Sequence, residues 1–578
     1  MRIAYNNSKR SISFATVVVA TVLVFVIASL LANCGGTTSS AGNTGSSGGG
    51  STTSPGNPPP GNPPPNPPSP QSLAVTTYHY DNLRTGANRS ETILTLANVN
   101  STTFGKVASF DVDGQIYGQP LYLQNLSIAG TSRNVVFVAT EHDSVYAFDA
   151  DAKTTSPLWK TNFLNPGAGV TTVDSNTDFA EFNATHDLVY QDIYPETGIT
   201  STPVIDSSSG TIYVVAKTKE NGSFVYRLHA LDITNGSEKF GGPTVITASM
   251  PGNGVFNDGK GNIVFDPHVN LQRSALLLLN GKIYIAFASH GDFDPYLGWL
   301  LVYDAQSLKQ TAAFAPTPDG AGGGIWNSGG GPAADASGNI FVGVANGDYT
   351  GGSGGRDYGD SYLRLTSSLQ VTDWFTPFDF QDLNNLDHDL GSGGPILLPD
   401  QPSGPAHLMI GGSKAGQLYV IDRDNMGHNH ASDNNQAVQQ VTLGHGLFAN
   451  PTVWNNNVYV GASRSPLQCY KISGGQLSLA TQTSVVSGFP GISAAVSSNG
   501  DSNGILWALQ VDQWDNGPAI LHAYDANDCT RELYNSTQAP GGRDTADTAV
   551  KFTVPTVING KVYISGGSKL TVYGLLTP

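Results

Sequence analysis

Between residues 322 and 422 the chain gathers most of its side chains with chemical reach. These are Trp326 in GGGIWNS, Asn346 in FVGVANGD, Asp387 and His388 in LDHDLG, and Lys414 in GGSKAGQLYVID. A carboxylate can take a proton, and an amine can steady developing negative charge. Amide and carboxylate oxygens can hold a hard cation, and an indole offers an aromatic floor. Each lies at or near the end of an apolar run such as 339–345 or 417–422, where a sheet protein presents a site. Taken singly, each also has a plainer use. Asp and Asn after a strand usually cap turns, a Trp in a Gly-rich loop usually packs, and a Lys before a strand is usually solvated. His290 and His388 read first as hydrogen-bonded structural histidines. GGSGG at Gly351 fits Gly-x-Ser-x-Gly but lacks the strand–turn–helix setting that a nucleophilic serine needs.

What positions these residues is a repeat. One strand type recurs: NVVFVAT at Asn134, TIYVVAK at Thr211, KIYIAFA at Lys282, NIFVGVA at Asn339, HLMIGGS at His407, NVYVGAS at Asn457, ILWALQ at Ile505 and KVYISGG at Lys561. A strand of small residues precedes it, as in STPVID at Ser201, ANPTVW at Ala449 and TVPTVI at Thr553. A third strand follows, as in SVYAFDA and GQLYVID, and after several of these comes an outer strand with an aromatic, placed at Trp159, Phe240 and Trp374. Four such strands make an antiparallel blade, and small inner residues let blades crowd around an axis. The pattern predicts an all-β chain, an eight-bladed propeller. Its last copy ends at Leu575 without an outer strand, and GKVASFDV at 105–112 is expected to supply it and close the ring. A seven-bladed ring follows instead if ILWALQ is not a true repeat. The opening YHYDNLRTGANRS, from Tyr78, is expected to pack across one face of the ring, with Arg84 and Asn88 in structural roles.

In order and rough spacing, the residues of the first stretch resemble those of the quinoprotein alcohol dehydrogenases. The propeller of that family holds pyrroloquinoline quinone (PQQ) over a calcium ion. The resemblance implies that Trp326 stacks under the quinone and that Asn346 ligates Ca2+. It further implies a second metal ligand one blade earlier, Asp292 in ASHGDFDPYLGWLLVYD. Asp387 would be the catalytic base, and Lys414 would meet the quinone oxygens. The family's vicinal disulfide is absent, and Thr197 stands near the place of its cofactor-carboxylate arginine. Arg273, in LQRSALLLLNG, would compensate from the next blade. The implied activity is oxidation of a small alcohol or sugar. The repeat also resembles the outer-membrane assembly propeller, a lipid-anchored scaffold without quinone, which implies a non-enzymatic role beside an envelope protein partner. Convergence of Asp292, Asn346, Asp387 and Lys414 would favour the enzyme; scatter over the rim would favour the scaffold. A propeller that cleaves sugar with paired carboxylates is a third reading, but no spacing singles out such a pair.

The N-terminus reads as an address. Lys9 and Arg10 precede an apolar run over 14–32 and then Leu31-Ala32-Asn33-Cys34, which predicts an export signal over 1–34. Its ending resembles a bacterial lipobox, implying lipidation at Cys34, although Asn33 departs from the usual small residue. An uncleaved anchor helix is the alternative, since the run is about long enough to span a bilayer. Either reading places the rest of the chain outside the cytoplasm and tethered to a membrane. Gly35 after the Cys, rather than Asp, leans the expectation to the outer membrane, facing the periplasm or the cell surface. Residues 35–71, nearly all Gly, Ser, Thr, Asn and Pro, predict a disordered linker. Residues 72–578 are expected to form the propeller. A net charge of -17 argues against nucleic acid as a partner. With Cys34 lipidated, only Cys469 and Cys529 remain. A disulfide and two buried thiols both stay open, with each Cys expected near a third-strand end.

Overall fold

Each copy of the repeat folds as a sheet because its alternating β-branched and aromatic residues find partners on both faces. The computed structural model describes residues 73–180, 192–291, 293–514 and 516–577. They lie within one compact unit, Ser69–Pro578, built as eight antiparallel blades around an axis. Blade 4, for instance, runs Ala333–Ala334, Ile340–Val344, Ser361–Leu365 and Val371–Thr376, and blade 5 runs Leu390–Leu397, Leu408–Ser413, Gln417–Asp422 and Gln439–Thr442. ILWALQ is a true repeat: it lies in Ser502–Gln510, the second strand of blade 7. Phe104–Asp111 pairs antiparallel with Lys569–Leu575 as the outer strand of blade 8, so strands from the beginning and end of the propeller together close the ring.

Two expectations need correction. Phe240 does not lie in an outer strand. It stands in a turn at φ 56°, and the outer strand of blade 2 is Thr244–Val245. Cys469 lies in the third strand of blade 6, Pro466–Ser473, but Cys529 lies in the fourth strand of blade 7, Asp528–Asn535. The two form a disulfide across neighbouring blades, Cα–Cα 6.6 Å.

The apolar core lies between blades. Between blades 4 and 5 it contains Phe341, Tyr362 and Phe375 against Met409, Tyr419 and Ile421. The inner strands approach closely here because two glycines meet. A β-carbon on Gly343 would stand 2.8 Å from the Gly391 Cα, and one on Gly391, which has φ +77°, 2.9 Å from the Gly343 Cα. That contact draws the end of the second strand of blade 4 onto the start of blade 5.

The opening segment does more than cover a face, because its residues bond to all eight blades. Ala74–Val75 pairs with blade 1 at Leu123 and Tyr122, and Ile205 N–H of blade 2 donates to Thr76 O at 2.8 Å. Asn82 donates to Leu278 O of blade 3. Backbone N–H groups of Ala334, Leu397, Val453 and Val496, from blades 4 to 7, donate to the carbonyls of Asn82, Leu83, Thr85 and Gly86 at 2.7–2.9 Å. Val557 N–H of blade 8 donates to the Tyr80 hydroxyl at 2.9 Å. Arg84 is fully buried at this hub and donates to Pro332 O, Thr77 Oγ1, Tyr78 O and Leu276 O at 2.7–3.2 Å. Asn88 donates to Val557 O at 2.9 Å. Both therefore have the structural roles expected of them.

Candidate functional site

The inner strand of blade 5 starts at the opposite end from the hub, and a cleft opens beside that start. Before it, a short helix, Phe380–Leu386, stops at Asp387, which takes the left-handed conformation (φ 55°, ψ 45°) and donates its N–H to Leu383 O. Asp is among the few L-residues that adopt this conformation readily. The Asp387 carboxylate is thereby set toward blade 4. Its Oδ1 accepts from Asn346 Nδ2 at 3.0 Å and from Lys414 Nζ at 2.8 Å.

Asn346 follows Ile340–Val344, and its N–H donates to Asp389 Oδ1 at 3.3 Å. Its own side-chain oxygen is buried and has no hydrogen-bond partner. Lys414 follows Leu408–Ser413, and its N–H donates to Asp389 O at 3.0 Å. Its ammonium bridges Asp387 and Asp389, with Asp389 Oδ2 at 2.7 Å. The two acids differ in setting: the Asp389 side chain is 3% exposed, that of Asp387 55%. Burial raises the Asp387 carboxyl above its ordinary value; Lys414 draws it down and the like charge of Asp389 raises it again. Solvent on its open side screens that shift. Deeper in, Asp360 is fully buried, accepts from Leu390 N–H at 3.0 Å, and is pushed well above the usual carboxylate range by burial.

The cleft holds about 310 Å³, and Asp294, Tyr296, Asn346, Asp348, Asn384 and Asp387 line it together with the small turns at Gly322 and Gly347. Such a cleft can hold a hard cation or a small polar molecule against a proton-accepting carboxylate. Among the described residues, no three His, Cys, Asp or Glu side chains gather as a metal-ligand group. A cation here would depend on the Asn346 amide oxygen as well as on carboxylates.

Three of the residues picked from sequence thus come together: Asn346, Asp387 and Lys414. Asp292 and Cys34 lie outside the described residues. Trp326 sits just behind the cleft, 9% exposed, packed with Leu271, Ala288 and Ala345, and its indole N–H has no acceptor. Arg273 does not line the cleft. Its guanidinium lies 4.0 Å over the Phe552 ring, beside an axial cavity of about 10 Å³ that Tyr78, Tyr117 and Thr200 also line, roughly the room of one water. His290 is fully buried with Nε2 at 2.6 Å from Lys217 Nζ, a structural contact.

The sequence reading missed Asp294, Asp348 and Asp389. Signals for each were available. Asp389 is the second acid of LDHDLG, Asp348 closes FVGVANGD, and Asp294 lies two residues beyond Asp292 in HGDFDP.

No protein-family model matches this chain, and no curated protein sequence does. Solved structures do. A quinohemoprotein alcohol dehydrogenase from Comamonas testosteroni matches with a TM-score of 0.59 at 14% identity, over 87% of this chain and 80% of that one. The quinohemoprotein alcohol dehydrogenase ADHIIG from Pseudomonas putida HK5 matches with a TM-score of 0.57 at 13% identity, over the same shares, 87% and 80%. A europium-containing methanol dehydrogenase matches with a TM-score of 0.52 at 12% identity, over 87% and 98%. At such identities the likeness is one of fold: the chain is an eight-bladed β-propeller, as those proteins are.

Proposed function

We propose that this chain is an exported dehydrogenase of the quinoprotein type that oxidises a small alcohol or sugar at Asp387. One observation carries the reading: side chains from two blades, far apart in sequence, meet at one carboxylate, with Asn346 at 3.0 Å and Lys414 at 2.8 Å from Asp387 Oδ1. Turn-capping acids and solvated lysines have no reason to converge in this way.

The groups present fit the cofactors that the fold suggests. The buried, unpartnered Asn346 oxygen is a donor that Ca2+ would take, and Asp294 and Asp348 line the same cleft, although the carboxylates do not gather there as one ligand group. Trp326, with its unpartnered indole N–H, and Lys414 would hold PQQ. When bound, PQQ supplies a two-electron acceptor and Ca2+ a polarising charge. The chain's own residues do the rest. Asp387 accepts the hydroxyl proton of the alcohol, which its raised carboxyl suits it to do. Asp389, buried against the ammonium, takes up much of the charge of Lys414 and leaves Asp387 able to receive that proton. Lys414 steadies negative charge at the reacting face. The glycine turns at 322 and 347 leave room for the substrate.

The disulfide between Cys469 and Cys529 supports a site of action in an oxidising compartment, as does the signal-like start ending at Cys34. We take the chain to be tethered to the cell envelope by that start. The test is to reconstitute the purified protein with Ca2+ and PQQ and follow dye reduction with alcohols and sugars. We expect reduction, falling by about 10²–10⁴-fold in Asp387→Asn. Absence of quinone uptake by absorbance would overturn the proposal and leave a non-enzymatic scaffold.

A further inference from the structure

Three acids line the cleft, Asp294, Asp348 and Asp387, and two of them are held from different sides. Asp387 is held from blades 4 and 5, where Asn346 and Lys414 reach its Oδ1. Asp348 is tied instead to Ala321, in the segment between Gln310–Phe314, the outer strand of blade 3, and the inner strand of blade 4. Its Oδ2 accepts from Ala321 N–H at 2.9 Å, its own N–H donates to Ala321 O at 3.1 Å, and its O accepts from Gly359 N–H at 2.8 Å. A β-carbon on Gly320 would stand 2.3 Å from the same Oδ2, so glycine there is what leaves the carboxylate its place.

These bonds fix an acid in the wall without neutralising it. Among the described residues no lysine, arginine or histidine pairs with Asp348, and none lines the cleft. The neighbouring cations are engaged: Arg356 donates to both oxygens of Asp319 at 2.8 and 2.9 Å, and the Lys414 ammonium lies between Asp387 and Asp389. The acids do not gather as one metal-ligand group, so a single ion beside Asn346 leaves carboxylate charge along the wall. The Asn346 oxygen is itself buried without a partner, and about 310 Å³ is room for a molecule and not only for an ion.

These facts discriminate between substrate classes. A carboxylated or phosphorylated alcohol meets like charge as it enters. A neutral alcohol gains nothing from Asp348. A protonated amine gains a charge-assisted hydrogen bond from a carboxylate that is already held in place, and an acidic wall draws cations toward it. We propose that the substrate is a small alcohol that also carries a protonated amine, with its hydroxyl at Asp387 and its ammonium at Asp348. Asp348 is then the residue that selects for charge. The inference rests on the reading of Asp387 as the reacting end.

The test is a ligand-observed NMR titration of the full chain, with and without Ca2+ and first without quinone, so that it does not depend on turnover. The probes are 5-aminopentan-1-ol, pentan-1-ol and 5-hydroxypentanoate, which differ only at the end away from the hydroxyl. The amine is expected to bind about fivefold tighter than pentanol, and the acid more weakly than either. Asp348→Asn keeps an oxygen for Ala321 N–H. It is expected to remove the advantage of the amine and leave pentanol unchanged, a charge-selective loss that damage to the fold would not give. Equal binding of the three probes, or a preference that survives in Asp348→Asn, would overturn the proposal. So would a preference that Ca2+ or added quinone abolishes, because the wall would then serve the cofactors and not the substrate. A preference that depends on Asp348, without dye reduction in the quinone-loaded protein, would overturn the dehydrogenase reading alone. Dye reduction with pentanol, in a protein that shows no preference for the amine, would overturn the role of Asp348 alone.

Discussion

The two ends of the blade 5 inner strand, Leu390–Leu397, meet opposite treatment. At its far end Leu397 N–H joins the hub through Leu83 O, and the arginine buried there, Arg84, reaches four acceptors. At its near end lie Asp387, Asn346 and Lys414, and beside them an amide oxygen and an indole N–H that are buried without partners. Buried polar groups are nearly always satisfied in folded chains. Arg84 obeys that rule, whereas His79 Nε2 of the same opening segment and the two cleft atoms depart from it. Arg84, bonded fully to its own chain, is structural; Asn346 and Trp326 each keep one unsatisfied atom beside an open cleft, and there a bound group could use it.

The sharpest way to break this contrast is to compare stability at the two ends. Arg84→Met leaves the carbonyls of Tyr78, Leu276 and Pro332 buried without their donor. At about 1–3 kcal/mol each, urea unfolding should show a loss on the order of 5 kcal/mol. Asp387→Asn should change stability by no more than about 0.5 kcal/mol. Equal losses would make the cleft as structural as the hub.

A second comparison lies at the outer side of the ring. Replacing Cys469 and Cys529 together by Ala opens a loop with a sequence separation of 60, and should cost about 4 kcal/mol in the same assay. A loss near zero would mean that the hub and the closing strand already hold blades 6 and 7.

The effect that is smallest at any one pH step concerns a buried acid. Glu141 is 1% exposed and its carboxyl is pushed up to about 8 by burial, against hydrogen bonds from Gly198 N–H and the Thr200 hydroxyl. The folded chain then binds a proton that the unfolded chain releases at its ordinary value of 4.5. Stability from this group is full below that value and is lost as pH rises toward 8. The slope approaches about 1.4 kcal/mol per pH unit. Glu141→Gln should flatten the slope by that amount between pH 5 and 8, measured by unfolding across pH. An unchanged slope would mean that other groups carry the dependence.

Much of this was legible in the chain. Strand period and repeat length gave the ring, and the missing outer strand after Leu575 pointed to 105–112, which pairs there as Phe104–Asp111. Asn346 and Lys414 were legible because each stands just past a repeat strand, where register fixes direction, and Asp387 because the family resemblance singled out LDHDLG. Asp389 was not, because it sits just before an inner strand, and its bond to Lys414 crosses between two strands of blade 5, where Leu390 pairs with Ser413. No local pattern reports such a cross-strand contact. Arg273 was misdirected for a similar reason: spacing placed it on the right blade, but Phe552, nearly three hundred residues later, captures its guanidinium. Phe240 misled because two residues, Thr244–Val245, suffice for an outer strand.

The opening segment has a consequence for traffic. It bonds to all eight blades at one end of the axis, and Tyr78 from that segment lines a cavity of about 10 Å³ there. Among the described residues the wheel is therefore closed at that end, so a molecule taken up at the proposed Asp387 site would enter and leave by the same side.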